Sequence, residues 1–230
     1  MGWFSRKKPT GESVTVTETF ELRGEPRAVR NDVVELIDGA LGRVGTSEVL
    51  HAIDPGRIVN FAEGGPAVWS VGVVEVAAER PYTLFVTYGF SHELSPDRER
   101  ERIHHELSIA VPADCQTQPW AVALLRHLAR YVLSSGNELM VGDVMPCHAP
   151  ITYIPFPRQH HAMMPRTKLD SIVVALDPLL PVIETAYGAI EVRRIVGVTM
   201  RDLQQLGPLP PGMRVETLGQ RDRTLLTDIG

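Results

Sequence analysis

The sequence has little cysteine, no excess of basic residues and no long apolar run. Cys115 and Cys147 are its only cysteines, too few for a disulfide-stapled scaffold. A formal net charge of −5 is unlike the basic character on which nucleic-acid binding depends. No apolar run reaches the roughly 18 residues that cross a bilayer, and no signal segment is recognisable. We therefore expect a cytoplasmic protein with reduced thiols and neither nucleic acid nor membrane as partner.

Hydrophobic residues make up 43% of the 230 positions, which is ordinary for a globular chain. We expect a flexible tail over residues 1–12 and a single domain over 13–230. Apolar periodicity predicts strands at 14–22, 51–62, 67–77, 82–88, 106–111, 151–157, 169–178, 188–199 and 223–229. It predicts main helices at 26–45 and 119–137. It also predicts a short helix that begins at a capping box of Thr199 and Asp202 and ends at residues 207–212.

Many short strands with few helices, and no alternation of strand and helix, indicate an α+β fold. The predicted architecture is a mixed, largely antiparallel sheet packed with two main helices. Gly136 follows the second of these helices, where a glycine can take the positive φ of a helix end.

A candidate nucleophile lies at Gly89-Phe90-Ser91, where an alternating apolar run stops. A nucleophile elbow requires a helix directly after the serine and a second glycine. Here His92 and Glu93 follow, then a densely charged run, so neither requirement is met. We interpret Ser91 as a turn serine that hydrogen-bonds its own backbone. A serine hydrolase using Ser91 with His92 or His104 is kept as an alternative.

Metal and acid chemistry have weak signals in this sequence. No C-x-x-C or H-x-x-x-H spacing occurs, so we predict no metal ligands. A metal-stabilised structural module built on Cys147, His148 and either His160 or His161 is a second alternative.

No acidic residue is isolated within an apolar run, as a raised-pKa general acid would be. Asp143 comes closest, and we interpret it as a turn aspartate. Without a glycine-rich phosphate loop, no cofactor is expected.

Five stretches resemble the Suppressor of fused family. They are "YTLFVTYGFSHE", "HHELSIAVP", "PWAVALLRHLARYVLSSGNELMVGDVM", "API" and "YGAIEVRRIVGVTMRDLQ". The specific part is W-x4-L-x2-L-A-R-Y-V followed by S-x-N-x4-G-D, from Trp120 through Asp143. The last residues also look like the closing strands of the family. The resemblance implies structural roles for Gly89, Glu106, Trp120, Leu128, Arg130, Tyr131, Asn137, Gly142 and Asp143.

The resemblance also implies a non-enzymatic, protein-binding function. The animal member sequesters zinc-finger transcription factors by clasping an extended peptide between two lobes. Bacterial members look like immunity proteins that neutralise a cognate toxin, and this chain, with room for one lobe, resembles that kind. The turn after residue 88 and the charged loop that follows correspond to the peptide-binding surface. The implied partner-binding residues are Phe85, Tyr88, Ser91, His92, Asp97 and Arg98.

Overall fold

The computed structural model describes residues 39, 50–51, 70–88, 90–92, 103–113, 119–180, 182–185 and 188–229. The expected tail at 1–12, the strand at 14–22 and nearly all of the first helix lie outside these residues, although Gly39 is helical. Gly89, Asp97, Arg98 and Cys115 lie outside them as well.

Among the described residues, eight strands form one mixed sheet. They are β1 Leu50–His51, β2 Ser70–Val76, β3 Tyr82–Tyr88, β4 His105–Pro112, β5 Val144–Pro146, β6 Ser171–Leu176, β7 Val182–Thr185 and β8 Gly188–Val198. Their order is β1-β2-β3-β4-β8-β6-β5, and β7 pairs with β8. Strands β4 and β8 are parallel, with His105 beside Glu191, and the other described pairs are antiparallel. The predicted α+β fold with a largely antiparallel sheet is confirmed.

The central strand β3 is buried on both faces, and its alternation divides the core in two. Phe85 lies on the face covered by α1, Pro119–Ser135, whereas Leu84 and Val86 lie on the other. Helix α1 buries a stripe at helical spacing: Trp120, Ala121, Leu124, Leu125, Leu128 and Val132. Gly136 ends this helix with a φ of 72°, so that prediction is confirmed.

Two shorter helices cover the β6 and β8 end of the sheet from the opposite face. Helix α2, Met200–Leu206, starts at the predicted capping box, in which Asp202 N–H donates to Thr199 Oγ1 at 3.2 Å. Helix α3, Pro211–Arg221, follows it. Leu206 of α2 and Leu218 of α3 are buried against the valines of β6 and β8. None of the helices in the described part of the chain is long and apolar enough to cross a membrane.

Two local predictions are wrong, and one helix was missed. Residues 151–157 form turns rather than a strand, and Arg158–Met163 is a 3₁₀ helix. Residues 223–229 form no strand, because Leu225 has a φ of 52° and interrupts the extended backbone. The segment 207–212 does end α2, whose C-cap is Gly207, but a further helix that we did not predict, α3, begins within it at Pro211. Proline is favoured at that position because its missing N–H has no intrahelical partner there.

Candidate partner-binding site

The turn after β3 is a short 3₁₀ helix, Phe90–His92, which a single buried carboxylate fixes to β4. Glu106 Oε1 accepts hydrogen bonds from Ser91 N–H at 3.0 Å and from Ser91 Oγ at 2.6 Å. Its Oε2 accepts from Thr87 Oγ1 at 2.6 Å and from Phe90 N–H at 3.3 Å. The Glu106 carboxylate therefore binds both the end of strand β3 and the start of the 3₁₀ helix.

Glu106 is fully buried, and this environment sets its charge. Burial raises its pKa to about 7, and the hydrogen bonds from Ser91, Thr87 and Phe90 limit that rise. Thr87 Oγ1 accepts a bond from Leu107 N–H at 2.8 Å, so its own hydrogen points to Glu106. The expectation that no acidic residue has the raised pKa of a buried acid is wrong here. The available signal was that Glu106 directly begins the apolar run 107–111.

A second buried side chain supports the turn from β4. The ring of His105 meets that of Phe90 edge to face, with centroids 5.1 Å apart. Burial, together with the charges of Arg193 and His104, lowers the pKa of His105 to about 2, so the imidazole is neutral. Within the described part of the chain, neither ring nitrogen has a hydrogen-bond partner. His105 therefore supports the turn through this aromatic contact with Phe90.

The described candidate partner-binding side chains lie beneath the turn. Phe85, Tyr88 and Ser91 are 2%, 1% and 4% exposed. His92 ends the 3₁₀ helix, and the chain re-enters the described core at Ile103, which is buried. These buried side chains shape the turn from below and are not accessible to a partner. The partner-binding role of the six residues stays a prediction.

Ser91 does not have the surroundings of a nucleophile. Its hydroxyl donates to the Glu106 carboxylate, whereas we expected it to bond its own backbone. That expectation is wrong because the fold places the Glu106 carboxyl group of β4 beside the turn, and an ionisable carboxyl is a stronger hydrogen-bond acceptor than a backbone carbonyl. A nucleophilic serine needs access to substrate, and Ser91 is only 4% exposed.

The motif residues 137–143 form a tight turn before β5. Gly142 has a φ of 92°, and a Cβ added there would lie 2.4 Å from Pro211 Cβ, so only glycine fits. Asp143 accepts a hydrogen bond from Met140 N–H at 2.8 Å, which confirms the interpretation of a turn aspartate. Arg214 of α3 donates to the carbonyl oxygen of Gly142 at 2.7 Å. The Gly-Asp pair thus joins the turn to α3.

The remaining motif residues divide by burial. Trp120 and Leu128 lie in the core, whereas Arg130, Tyr131 and Asn137 are exposed. Tyr131 and Asn137 line a surface groove of about 310 Å³ that runs along β5. A role in core packing accounts for Trp120 and Leu128 in the motif. It does not account for the exposed Arg130, Tyr131 and Asn137.

A second buried carboxylate, Asp177, follows β6. Its Oδ2 accepts bonds from Arg194 Nη2 at 2.7 Å, from Arg194 Nε at 3.0 Å and from Ser108 Oγ at 2.5 Å. Its Oδ1 accepts from the backbone N–H groups of Leu179 and Leu180. Burial acts to raise the pKa of Asp177, but Arg194 and these hydrogen bonds outweigh it and hold the pKa below the usual value. This ion pair joins β4, β6 and β8.

In the described residues, no three His, Cys, Asp or Glu side chains converge closely enough to hold a metal ion. Cys147 is half-buried, and burial together with the charge of Asp170 raises its pKa to about 11. A thiol must ionise to bind zinc, so this environment disfavours Cys147 as a ligand.

Comparison with known proteins agrees with this architecture. The family model for Suppressor of fused protein (SUFU) matches residues 68–228. The Sufu–Fu complex contains a chain of similar fold, with a TM-score of 0.66 and 21% identity over 86% of this chain and 90% of that one. Suppressor of fused from Drosophila gives a TM-score of 0.66 and 20% identity over 86% of this chain and 50% of that one. This chain thus spans half the length of the Drosophila protein.

A chain from Neisseria gonorrhoeae described as a Suppressor of fused homolog is also similar, with a TM-score of 0.54 and 13% identity over 88% of this chain and 94% of that one. No curated protein sequence matches significantly. At such identities the solved structures establish the fold, and the family model establishes the relationship. Because that model matches well over half of the residues, this chain belongs to the Suppressor of fused family.

Proposed function

We propose that this chain is a non-enzymatic protein-binding domain whose partner docks on the turn Phe90–His92 and the charged loop after it. The observation that carries the proposal is the four-bond clamp of Glu106 on this turn. Because Glu106 already holds the turn in one conformation, fewer backbone angles must be restrained when the partner binds, and the entropy cost of binding is lower. Family membership supports a protein as the ligand, since one similar chain was solved as the Sufu–Fu complex.

The contact residues in this proposal come from the sequence of the loop. Asp97 and Arg98 begin a run of alternating charge that continues through Arg102. Interleaved charges of both signs suit partner discrimination, because a partner with the wrong pattern places like charges together. The buried Phe85, Tyr88 and Ser91 position this loop, and Asp97 and Arg98 contact the partner.

The finer form of the proposal is an immunity protein that neutralises a cognate toxin in the bacterial cytoplasm, acting as a single domain over 13–230. The likeness to the Neisseria gonorrhoeae homolog supports a bacterial setting. A net charge of −5 favours a basic partner, because opposite net charges accelerate association.

The test is a charge reversal in the loop, compared with a matched reversal elsewhere. A photo-crosslinker at position 97 in native cells first identifies the partner by mass spectrometry, and titration calorimetry then measures its affinity. We expect the double variant Asp97→Lys, Arg98→Glu to weaken binding about ten-fold or more. The control, Arg201→Glu with Glu216→Lys, makes the same reversals on α2 and α3, and we expect less than about a two-fold change.

Two results would contradict the proposal. One is a partner whose affinity responds equally to the loop variant and the control. The other is labelling of Ser91 by an active-site serine probe, lost in a folded Ser91→Ala variant, because a labelled serine must be exposed and activated.

A further inference from the structure

Residues 150–168, which lie within the connection from β5 to β6, form a closed surface loop. Its ends meet where Ile151 N–H donates to the carbonyl oxygen of Leu169 at 2.9 Å. A cross-link lies just inside, where Thr152 Oγ1 donates to the carbonyl oxygen of Pro165 at 2.7 Å. Ile151, Ile154 and Phe156 also attach the loop to the core, and surface loops positioned by a rigid scaffold are often used for binding.

Side chains within this loop hold its shape. The rings of Tyr153 and His161 stack with centroids 4.6 Å apart and an interplanar angle of 22°. His161 Nε2 lies 3.0 Å from the carbonyl oxygen of Phe156, at hydrogen-bond distance. Four prolines restrict the backbone further. The loop is therefore organised before any partner binds, which lowers the entropy cost of docking.

The charge of the loop is opposite to that of the chain. Residues 150–168 contain no Asp or Glu, and three cations, Arg158, Arg166 and Lys168, in a chain of net charge −5. All three cations are exposed, and no carboxylate in the described part of the chain pairs with them. By contrast, Arg194 and Arg221 each bind a carboxylate of their own chain. The cations of this loop remain available to an anionic partner.

An exposed apolar side chain lies between these cations in the sequence. Met163, at the end of the 3₁₀ helix Arg158–Met163, is 68% exposed, more than any other large hydrophobic side chain in the described residues. Methionine is flexible and polarizable, and it adapts to varied partner surfaces. An exposed methionine flanked by unpaired cations fits a ligand that is both anionic and apolar.

We propose that residues 150–168 form a second docking surface, which takes an acidic protein segment carrying an apolar side chain. Arg158, Arg166 and Lys168 bind its carboxylates, and Met163 contacts its apolar residue. Three cations fall short of the four to eight that typify a polybasic membrane site. They are also few for nucleic acid, where affinity rests on many phosphate contacts. The inference rests on the proposed protein-binding function only in taking a protein segment as the ligand.

The test uses a synthetic blocked peptide in which Glu and Leu alternate, titrated into the isotope-labelled full chain and followed by NMR. We expect shift changes centred on residues 153–168 that disappear at about 0.5 M salt, because screening removes interactions between exposed charges. The peptide with Gln in place of Glu should bind at least about ten-fold more weakly. Changes centred elsewhere would overturn the proposal.

Variants separate this surface from non-specific attraction. We expect Arg158→Glu with Arg166→Glu to weaken peptide binding about ten-fold, and Met163→Ser to weaken it a few-fold. The control, Arg201→Glu with Arg223→Glu, makes the same charge change at two exposed arginines outside the loop and should leave affinity within about two-fold. Equal effects of the two pairs would overturn the proposal. So would tighter binding of phosphatidylserine vesicles or a DNA oligonucleotide than of the peptide.

The loop variants also distinguish this inference from the proposed function. If they leave peptide binding unchanged while the Asp97 and Arg98 variant still weakens the partner, only the second surface is wrong. If the opposite pattern is found, the loop after Phe90–His92 is wrong and the second surface stands.

Discussion

Glu106 and Asp177 are both completely buried, yet the pKa values of their carboxyl groups shift in opposite directions. Glu106 accepts hydrogen bonds from the neutral donors of Thr87, Ser91 and Phe90, and its pKa rises to about 7. Asp177 accepts two bonds from the guanidinium of Arg194, and its pKa falls below the usual value. Burial acts to raise the pKa of both carboxyls, so the cation beside Asp177 accounts for the opposite outcome there.

The hydrogen-bond networks of Asp177 and Glu106 have different structural roles. The Asp177–Arg194 pair is a permanent charge pair that joins β4, β6 and β8 through Ser108. Glu106 has a pKa within the physiological range, and it holds a turn that leads to the proposed partner loop. Chain stability should therefore depend mainly on the first network, and sensitivity to pH near neutrality should come from the second.

The largest expected effect is the loss of the cation from the Asp177 network. Arg194→Met leaves Asp177 buried without a counter-charge, and we expect the free energy of unfolding to fall by about 3–5 kcal/mol. The measurement is urea denaturation near neutral pH. The matched control is Arg80→Met, which removes an exposed ion pair with Asp228 and should cost less than about 1 kcal/mol. If both variants lose the same stability, Arg194 is not the structural cation.

The next effect is a pH dependence that arises at Glu106. Its folded pKa, about 7, lies above the ordinary value of 4.5, so the folded state binds this proton more tightly than the unfolded state. The stabilising contribution is complete below about pH 4.5 and disappears as pH rises through 7. We expect a loss of about 2–4 kcal/mol over this window, measured by urea denaturation at a series of pH values.

The variant Glu106→Gln isolates this contribution, since its side chain has similar volume and cannot titrate. All other ionisable groups are common to both proteins, so the difference between their stability curves reports Glu106 alone. That difference should be steep between about pH 4.5 and 7 and flat above. A flat difference throughout would show that Glu106 keeps an ordinary pKa in the folded chain.

The sequence predicted those strands and helices in which apolar residues recur at regular spacing along the whole element. Strand β3, strand β8 and helix α1 each bury a continuous apolar stripe, and their alternation or helical spacing is visible without the fold. Helix α3 was missed because few of its residues are apolar and Leu218 is its only buried one. Its position depends on contact with β6, which lies far before it in the sequence.

The site was less predictable than the fold, because its determining contacts join residues far apart in the chain. Glu106 meets Ser91 across 15 positions and Thr87 across 19, and no local pattern records such pairs. Local patterning identified Phe90 and Ser91 as a turn, and the resemblance marked Glu106 as structural. The bond that joins the turn to Glu106 required the sheet register between β3 and β4.

The smallest expected effects separate the two hydroxyl donors of Glu106. Thr87→Val removes a donor to Glu106 and also the acceptor of Leu107 N–H, so two buried groups lose partners, at a cost of about 2–3 kcal/mol. Ser91→Ala removes one donor and keeps the Ser91 N–H bond, at a cost of about 1 kcal/mol.

Ser91→Ala should also move the pH window of the Glu106 effect upward, because the Ser91 hydroxyl bond lowers the pKa of that carboxyl. The measurement repeats the stability series against pH, with Ser134→Ala as control, an exposed serine whose hydroxyl donates to the carbonyl oxygen of Tyr131. A window that stays in place would show that Ser91 does not donate to Glu106 in solution. The hydroxyl would then be available for other chemistry, and the difference between the two carboxyls would rest on Arg194 alone.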